Sequence, residues 1–360
     1  MITNILLTDM KHYFLLFILL LVIITIEGCT EELHPETNGT NSPVLNEGEL
    51  TKAVLDLSVN TFAVEAQAET RASIPSNIPE NETSEEKEVH NIWVFQYDAV
   101  TKELLIKPRY YTITDQIMLQ DLPVYLKAGI PSFVYVVTNT GYDNWANDDT
   151  DTSWQKFKNL EQLKKQTLPT AFPLRSIDKV SIPMVGASEE VEVTTGITVT
   201  VPVTRMYAKL KVKVEMLKAE MKLNNVNVRQ IPNICRIETF AGDGNGEPMN
   251  AVPFPDGTTF SSIAFAASDL EKSEDKEWAV FYVPENLQGE TETQGGNKSD
   301  GAPSNALVVD VTTEIGGEKY LYAAYPGGNS FNNFNIQRNQ VYRVTLTITG
   351  EKGQNNPSSN

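Results

Sequence analysis

Cys29 is the residue whose surroundings point most directly to chemistry on the chain itself. It follows Lys11 and His12, an apolar run from Tyr13 to Ile26 broken only by Thr25, and then Glu27-Gly28. A short basic start, an apolar stretch of roughly 7–15 residues and a small residue before the cut describe a secretory signal peptide. A thiol placed directly after that small residue is the substrate of a lipid transfer. Diacylglycerol alkylates the sulfur, and cleavage then leaves Cys29 as the first residue of the mature chain. Residues 1–28 are therefore expected to be a lipoprotein signal, with Met10 as the effective start and Glu27 an unusual neighbour for the box. A spanning helix needs ~20 apolar residues, and this run is shorter and ends at Glu27. Attachment would come from acyl chains, each buried methylene contributing ~0.8 kcal/mol, so the membrane is expected as a partner only through the lipid.

Other chemistry finds few residues to work with. Histidine occurs at 12, 34 and 90 alone, and only His90 falls in a segment that reads as folded. That removes most routes to a Ser-His-Asp triad or a histidine-ligated metal. Asp and Glu are plentiful, but their spacing singles out no pair for a hydrolase. Asp243-Gly244-Asn245-Gly246-Glu247 and Asn147-Asp148-Asp149-Thr150-Asp151 lack the later ligands of a calcium loop and read as turns. No enzyme, metal or cofactor is expected. With 29 Lys+Arg against 47 Asp+Glu, the net charge is −18 and no long single-sign block carries it, which disfavours nucleic acid. The second cysteine, Cys235, has no partner once Cys29 is lipidated and reads as a small buried residue.

The elements that must carry such a chain are strands. Residues 29–49 are polar and form a tether. Leu55, Leu57 and Val59 alternate with Asp56, Ser58 and Asn60, the period of a half-buried strand. Phe62 falls on the opposite parity, which predicts a bulge near Asn60-Thr61. Arg71 and Ala72 follow in a polar linker, where an ordinary loop arginine is the plain reading. The run Asn91–Tyr97 is apolar throughout and predicts a strand buried on both faces. Further strands are expected at Leu104–Ile106, Ile117–Leu119, 132–138, 191–203 and 205–216. One helix is expected through Trp154, Phe157, Leu160 and Leu163, capped at 151–153. Lys209, Lys211, Lys213 and Glu215 alternate with Leu210, Val212, Val214 and Met216, predicting one wet face. Gly316-Gly317 joins two late strands as a hairpin, and 341–349 alternates to the last strand. The expected architecture is mainly β, two β-sandwiches in series at 50–195 and 196–350, with a polar tail at 351–360.

Three segments resemble the fimbrillin family, the lipoprotein precursors of type V pili. They are Phe281-Tyr282-Val283-Pro284-Glu285-Asn286-Leu287-Gln288-Gly289, Phe334-Asn335-Ile336-Gln337-Arg338-Asn339-Gln340-Val341-Tyr342-Arg343-Val344-Thr345, and Val203-Thr204-Arg205-Met206-Tyr207-Ala208-Lys209-Leu210. The resemblance covers about residues 50–350 and implies two tandem sandwiches of transthyretin-like, Greek-key type and a structural and adhesive role in a fimbria at the outer membrane surface. It also gives Arg71 a role, because fimbrillins are cut after an Arg or Lys in the linker behind the first strand. The implied partners are other fimbrial subunits, a trypsin-like Arg-specific protease and a host or bacterial surface ligand. Residues 50–71 would be a removable plug cut between Arg71 and Ala72, with Leu55, Leu57, Val59 and Phe62 filling a groove. At ~1.5–3 kcal/mol per buried side chain, refilling that groove would stabilise by roughly 6–12 kcal/mol as an upper bound. The competing expectation is a lipid-anchored glycan-binding protein, using Tyr142 and Trp145 as exposed aromatics.

Overall fold

The computed structural model describes residues 49–64, 68–69, 82–113, 119–141, 153–169, 174–176, 181–238, 250–271, 276–292, 298–329 and 331–350. The chain is mainly β, as expected. No helix among the described residues is long and apolar enough to cross a membrane.

The first sheet runs in the order β5 (Arg109–Thr112), β4 (Asn91–Asp98), β7 (Pro131–Thr138), β10 (Met184–Ala187), β12 (Thr198–Arg205), β1 (Leu50–Val59) and β6 (Leu122–Lys127), with β11 (Val191–Glu192) also on β7. One face of it turns inward on itself. Leu55 and Leu57 of β1 share a core with Ile92 and Val94 of β4, Val134 and Val136 of β7, and Val199 and Val201 of β12. β6, at one end of the sheet, reaches β4, next to the other end, through Gln96, whose side-chain oxygen accepts from Lys127 N–H (2.7 Å) and whose side-chain NH2 donates to Lys127 C=O (2.9 Å). Gly186 is required where β10 crosses β12, because a Cβ there would lie 1.9 Å from the Pro202 carbonyl oxygen.

The second region is a sandwich of two sheets. One is ordered β2 (Ala63–Val64), β22 (Gln340–Ile348), β13 (Tyr207–Met216), β17 (Ala279–Pro284) and β9 (Leu174–Arg175), with β3 (Ala68–Glu69) also on β22. The other is β16 (Phe260–Ala266), β14 (Lys222–Pro232), β19 (Val308–Ile315) and β20 (Glu318–Ala324). Their inner faces meet through Leu210, Val228, Phe281, Val309, Val311 and Val344. Two short pairs, β8 (Thr167–Pro169) with β15 (Ile234–Arg236) and β18 (Asn286–Glu290) with β21 (Asn333–Ile336), complete the strands. Gly316 and Gly317, at φ 59° and 89°, make the tight turn between β19 and β20.

Several expectations are corrected by this geometry. β12 is hydrogen-bonded into the first sheet, so the chain passes to the second sheet at Met206, beyond the break expected at Gly196. The expected helix is split into a 3₁₀ turn at Ser153–Phe157 and a short α1 at Leu160–Lys164, because Asn159 takes the cap by accepting the Gln162 N–H. A second short helix, α2 (Ala267–Leu270), follows β16. Leu104–Ile106 forms no strand; it is tied by the bridge of Leu104 to Tyr97 and by the N–H groups of Leu104 and Leu105, which donate to the carbonyls of Lys158 and Gln96 (both 2.8 Å). Ile117 and Met118 lie outside the described residues.

The β1 slot and the Arg205 clasp

β1 sits inside its sheet, parallel to β12 from Val54↔Thr198 to Val59↔Val203 and antiparallel to β6 from Leu50↔Lys127 to Leu55↔Leu122. Its period of two sends Ala53, Leu55 and Leu57 into the core, and Val59 packs half-buried at the end. The strand stops there. There is no bulge at Asn60-Thr61; the chain instead turns out of the first sheet, which is why Phe62 breaks the parity. Phe62 enters a different core, between the two sheets, with Met206, Tyr207, Tyr282 and Val341. The four residues expected to fill one groove are therefore divided, three in the first sheet and one at the crossing.

The turn from Asn60 to Ala63 is held from every side. Arg205, the last residue of β12 and fully buried, donates through Nη1 to the Asn60 carbonyl (2.7 Å) and to Asn339 Oδ1 (3.2 Å), and through Nε to the Glu86 carbonyl (2.9 Å). Its guanidinium lies 4.2 Å from the Phe62 ring centroid. Glu82 accepts the Phe62 N–H (2.6 Å) and pairs with Arg205 Nη1 (3.4 Å) and Lys87 (2.8 Å). Asn339 donates from its amide to the Thr61 carbonyl (2.8 Å), and its own carbonyl accepts the Ala63 N–H (2.9 Å). Arg205 Nη2 alone finds no acceptor among the described residues.

Behind this clasp lies a second buried charge. Glu86, completely covered, holds Lys209 Nζ at 2.8 Å and accepts the Tyr282 hydroxyl. Lys209 is 4 % exposed, so the face of β13 expected to be wet is dry at this end. Glu86 belongs to an acidic stretch that the sequence alone leaves in solvent. Burial, reinforced by the Glu86 charge, pushes the Tyr282 hydroxyl well above its ordinary pKa, and it stays a donor. Burial pulls the Arg205 guanidinium down, against the opposing pull of Glu82 and Glu86. Burial would also raise the Glu82 carboxyl. The Lys87 ammonium, the Phe62 N–H and Arg205 outweigh it and hold the group below 4.5.

The three motif segments converge here and just beyond. Arg205 and Lys209 come from one, Tyr282 and Glu285 from another, and Arg338 and Asn339 from the third. Arg338 forks onto both Glu285 oxygens (3.1 and 2.9 Å) and donates to the carbonyls of Arg236, Ile237 and Glu238. Cys235, beside it, is fully buried and its thiol is pushed up to about 12 by that burial, so it stays protonated and inert.

Of the residues singled out in the sequence, Cys29, Arg71, Ala72, Tyr142 and Trp145 lie outside the described residues. Among the described residues no group of three or more His, Cys, Asp or Glu could hold a metal. Arg205, Lys209, Glu82, Glu86 and Asn339 were not readable as a site. Three sit inside the motifs, but their pairing with an acidic linker over a hundred residues away leaves no local pattern.

A family model described as a domain of unknown function, DUF4906, matches residues 281–346, from β17 into β22. No curated protein matches the chain in sequence. Among solved structures, the chain is similar to the tip fimbrial protein Mfa3 from Porphyromonas gingivalis with C-terminal truncation, at 15% identity and a TM-score of 0.48, over 84% of this chain and 97% of that one. It is also similar to a fimbrial assembly protein from Parabacteroides distasonis, at 15% identity and a TM-score of 0.46, over 84% and 93%. Identity and overlap at this level do not by themselves carry a function.

Proposed function

We propose that this chain is a structural and adhesive subunit of a cell-surface fimbria, exported as a lipoprotein through Cys29 and opened for assembly by proteolysis. Hydrolysis of the Arg71–Ala72 bond frees everything from Cys29 to Arg71, which includes β1. A strand from a neighbouring subunit then takes its place. The observation that supports this most is the position of β1: an internal strand, hydrogen-bonded on both edges, whose apolar face fills a core. Its loss leaves two open strand edges around an apolar slot, the arrangement that accepts a strand from another chain. The clasp at Asn60–Phe62 then becomes a side-chain fastening of the plug, beside its backbone pairings to β12, β6 and β22. Partners are other fimbrial subunits, an Arg-specific protease of trypsin-like preference and a surface ligand, at the outer membrane or on the fibre.

Limited exposure of the full-length protein to an Arg-specific protease tests the assignment. The expected result is a single early cut at Arg71, followed by polymers when other subunits are added. Polymers that form equally well from an Arg71→Gln chain, with residues 50–71 still attached, overturn it.

A further inference from the structure

We infer that Arg205 reads the strand that occupies the β1 slot, selecting one that places an aromatic ring three residues beyond its last in-sheet position. The inference rests on the strand-exchange function proposed above and names the chemistry of the partner. Its basis is what the departing segment takes with it. Without residues 50–71, Arg205 loses the Asn60 carbonyl and the Phe62 ring, and Glu82 loses the Phe62 N–H. These losses fall on a guanidinium that is 0% exposed and already has one unpartnered nitrogen, Nη2. Arg205 keeps the Glu86 carbonyl, Asn339 and Glu82, but a cation that loses its shortest hydrogen-bond acceptor and the ring covering it is left worse paired, so the emptied clasp favours a replacement that restores both.

The geometry fixes what that replacement must be. It runs parallel to β12 and antiparallel to β6, with a small residue and two leucine-sized residues on the inward face, as at Ala53, Leu55 and Leu57. One residue past the strand it presents a carbonyl to Nη1. Two residues further it presents a ring beneath the guanidinium and an N–H to Glu82. Lys209 Nζ, 5.8 Å from the same ring centroid, adds a second cation to the ring's surroundings. The chain's own last strand has the apolar alternation, with Val344, Leu346 and Ile348, but Thr349, Gly350 and Glu351 follow it. A second copy offering β22 therefore lacks the ring. The occupant is a strand of a different subunit, one that carries Phe, Tyr or Trp at that spacing.

The test uses the full chain nicked at Arg71 and fluorescently labelled peptides. One peptide has the sequence of residues 50–64, a second carries Phe62→Leu, and a third has the sequence of residues 341–353. Dissociation is followed by anisotropy on the wild-type chain and on an Arg205→Gln chain. The 50–64 peptide is expected to enter and to stay about tenfold longer than the Phe62→Leu peptide, the range of a desolvated cation over an aromatic face. The 341–353 peptide leaves as fast as Phe62→Leu or faster, and Arg205→Gln abolishes the preference. If that variant does not fold, the peptides on the unaltered chain decide alone. Equal residence of all three peptides overturns the clasp as a reader and leaves strand exchange standing. Failure of every peptide to enter the nicked chain overturns strand exchange, and the inference with it.

Discussion

β1 and β22 hold matching places in their sheets. Each runs parallel to one of the two long strands that flank Met206, β1 beside β12 and β22 beside β13. They differ on the other side. β1 is closed by β6, a strand from elsewhere in the same sheet. Among the described residues, β22 is met there by the two-residue β2 at Gln340–Val341 and β3 at Val344–Thr345. Those short pieces and β1 belong to one stretch of chain, residues 50–69. Removing that stretch would open an internal slot in the first sheet and bare the edge of β22 in the second. A strand can therefore be central in hydrogen bonding and still belong to a detachable stretch, one held beyond it by the clasp at Asn60–Ala63 and by two short pairings to β22.

The largest effect should come from breaking that clasp. Arg205→Ala removes a donor from the buried Glu82 carboxylate and from the Glu86 and Asn60 carbonyls, and should cost about 3–5 kcal/mol in denaturant unfolding of the intact chain. Leu55→Ala and Leu346→Ala then sharpen the contrast between the two strands. Each should cost about 2–5 kcal/mol in the intact chain, by lost burial and a cavity. After the chain is nicked and the plug exchanged for a wild-type 50–64 peptide, the Leu55→Ala penalty should vanish and the Leu346→Ala penalty should remain. Equal persistence of both would break the comparison.

Acid should act through the clasp next. The Glu82 carboxyl has a folded pKa below its ordinary 4.5, so its contribution is present above that value and is lost as pH falls through the folded one. Thermal stability of the wild-type chain should therefore drop below about pH 4.5, and a Glu82→Gln chain should start lower and fall less steeply over the same window. The smallest effect is expected at Phe331, 67% exposed on a loop tip. Phe331→Ser should change unfolding free energy by no more than about 0.5 kcal/mol.

The strands were legible where one physical rule governed them. Period-two alternation gave β1 and β22 and the existence of β13, and an unbroken apolar run gave β4, because the apolar face of each meets a core. The rule failed where the environment changes along a strand. Lys209 reads as solvated beside Lys211 and Lys213, but it is buried beside Glu86, which neutralises it, with the Phe62 ring nearby. Phe62 reads as a bulge, whereas the chain has left one core for another. The site was half legible: Leu55, Leu57 and Val59 lie in β1 as the alternation predicts, but Phe62 does not join them, and the Arg205 clasp depends on a contact between residues 82–86 and 205–209 that no spacing announces.

The mature N-terminus of the protein in sheared surface fibres, read by N-terminal sequencing and intact mass, tests the central claim most directly. A start at Ala72, with residues 50–71 absent from the fibre, is the predicted result. Fibres in which this subunit begins at an acylated Cys29 and retains residues 50–71 would contradict it.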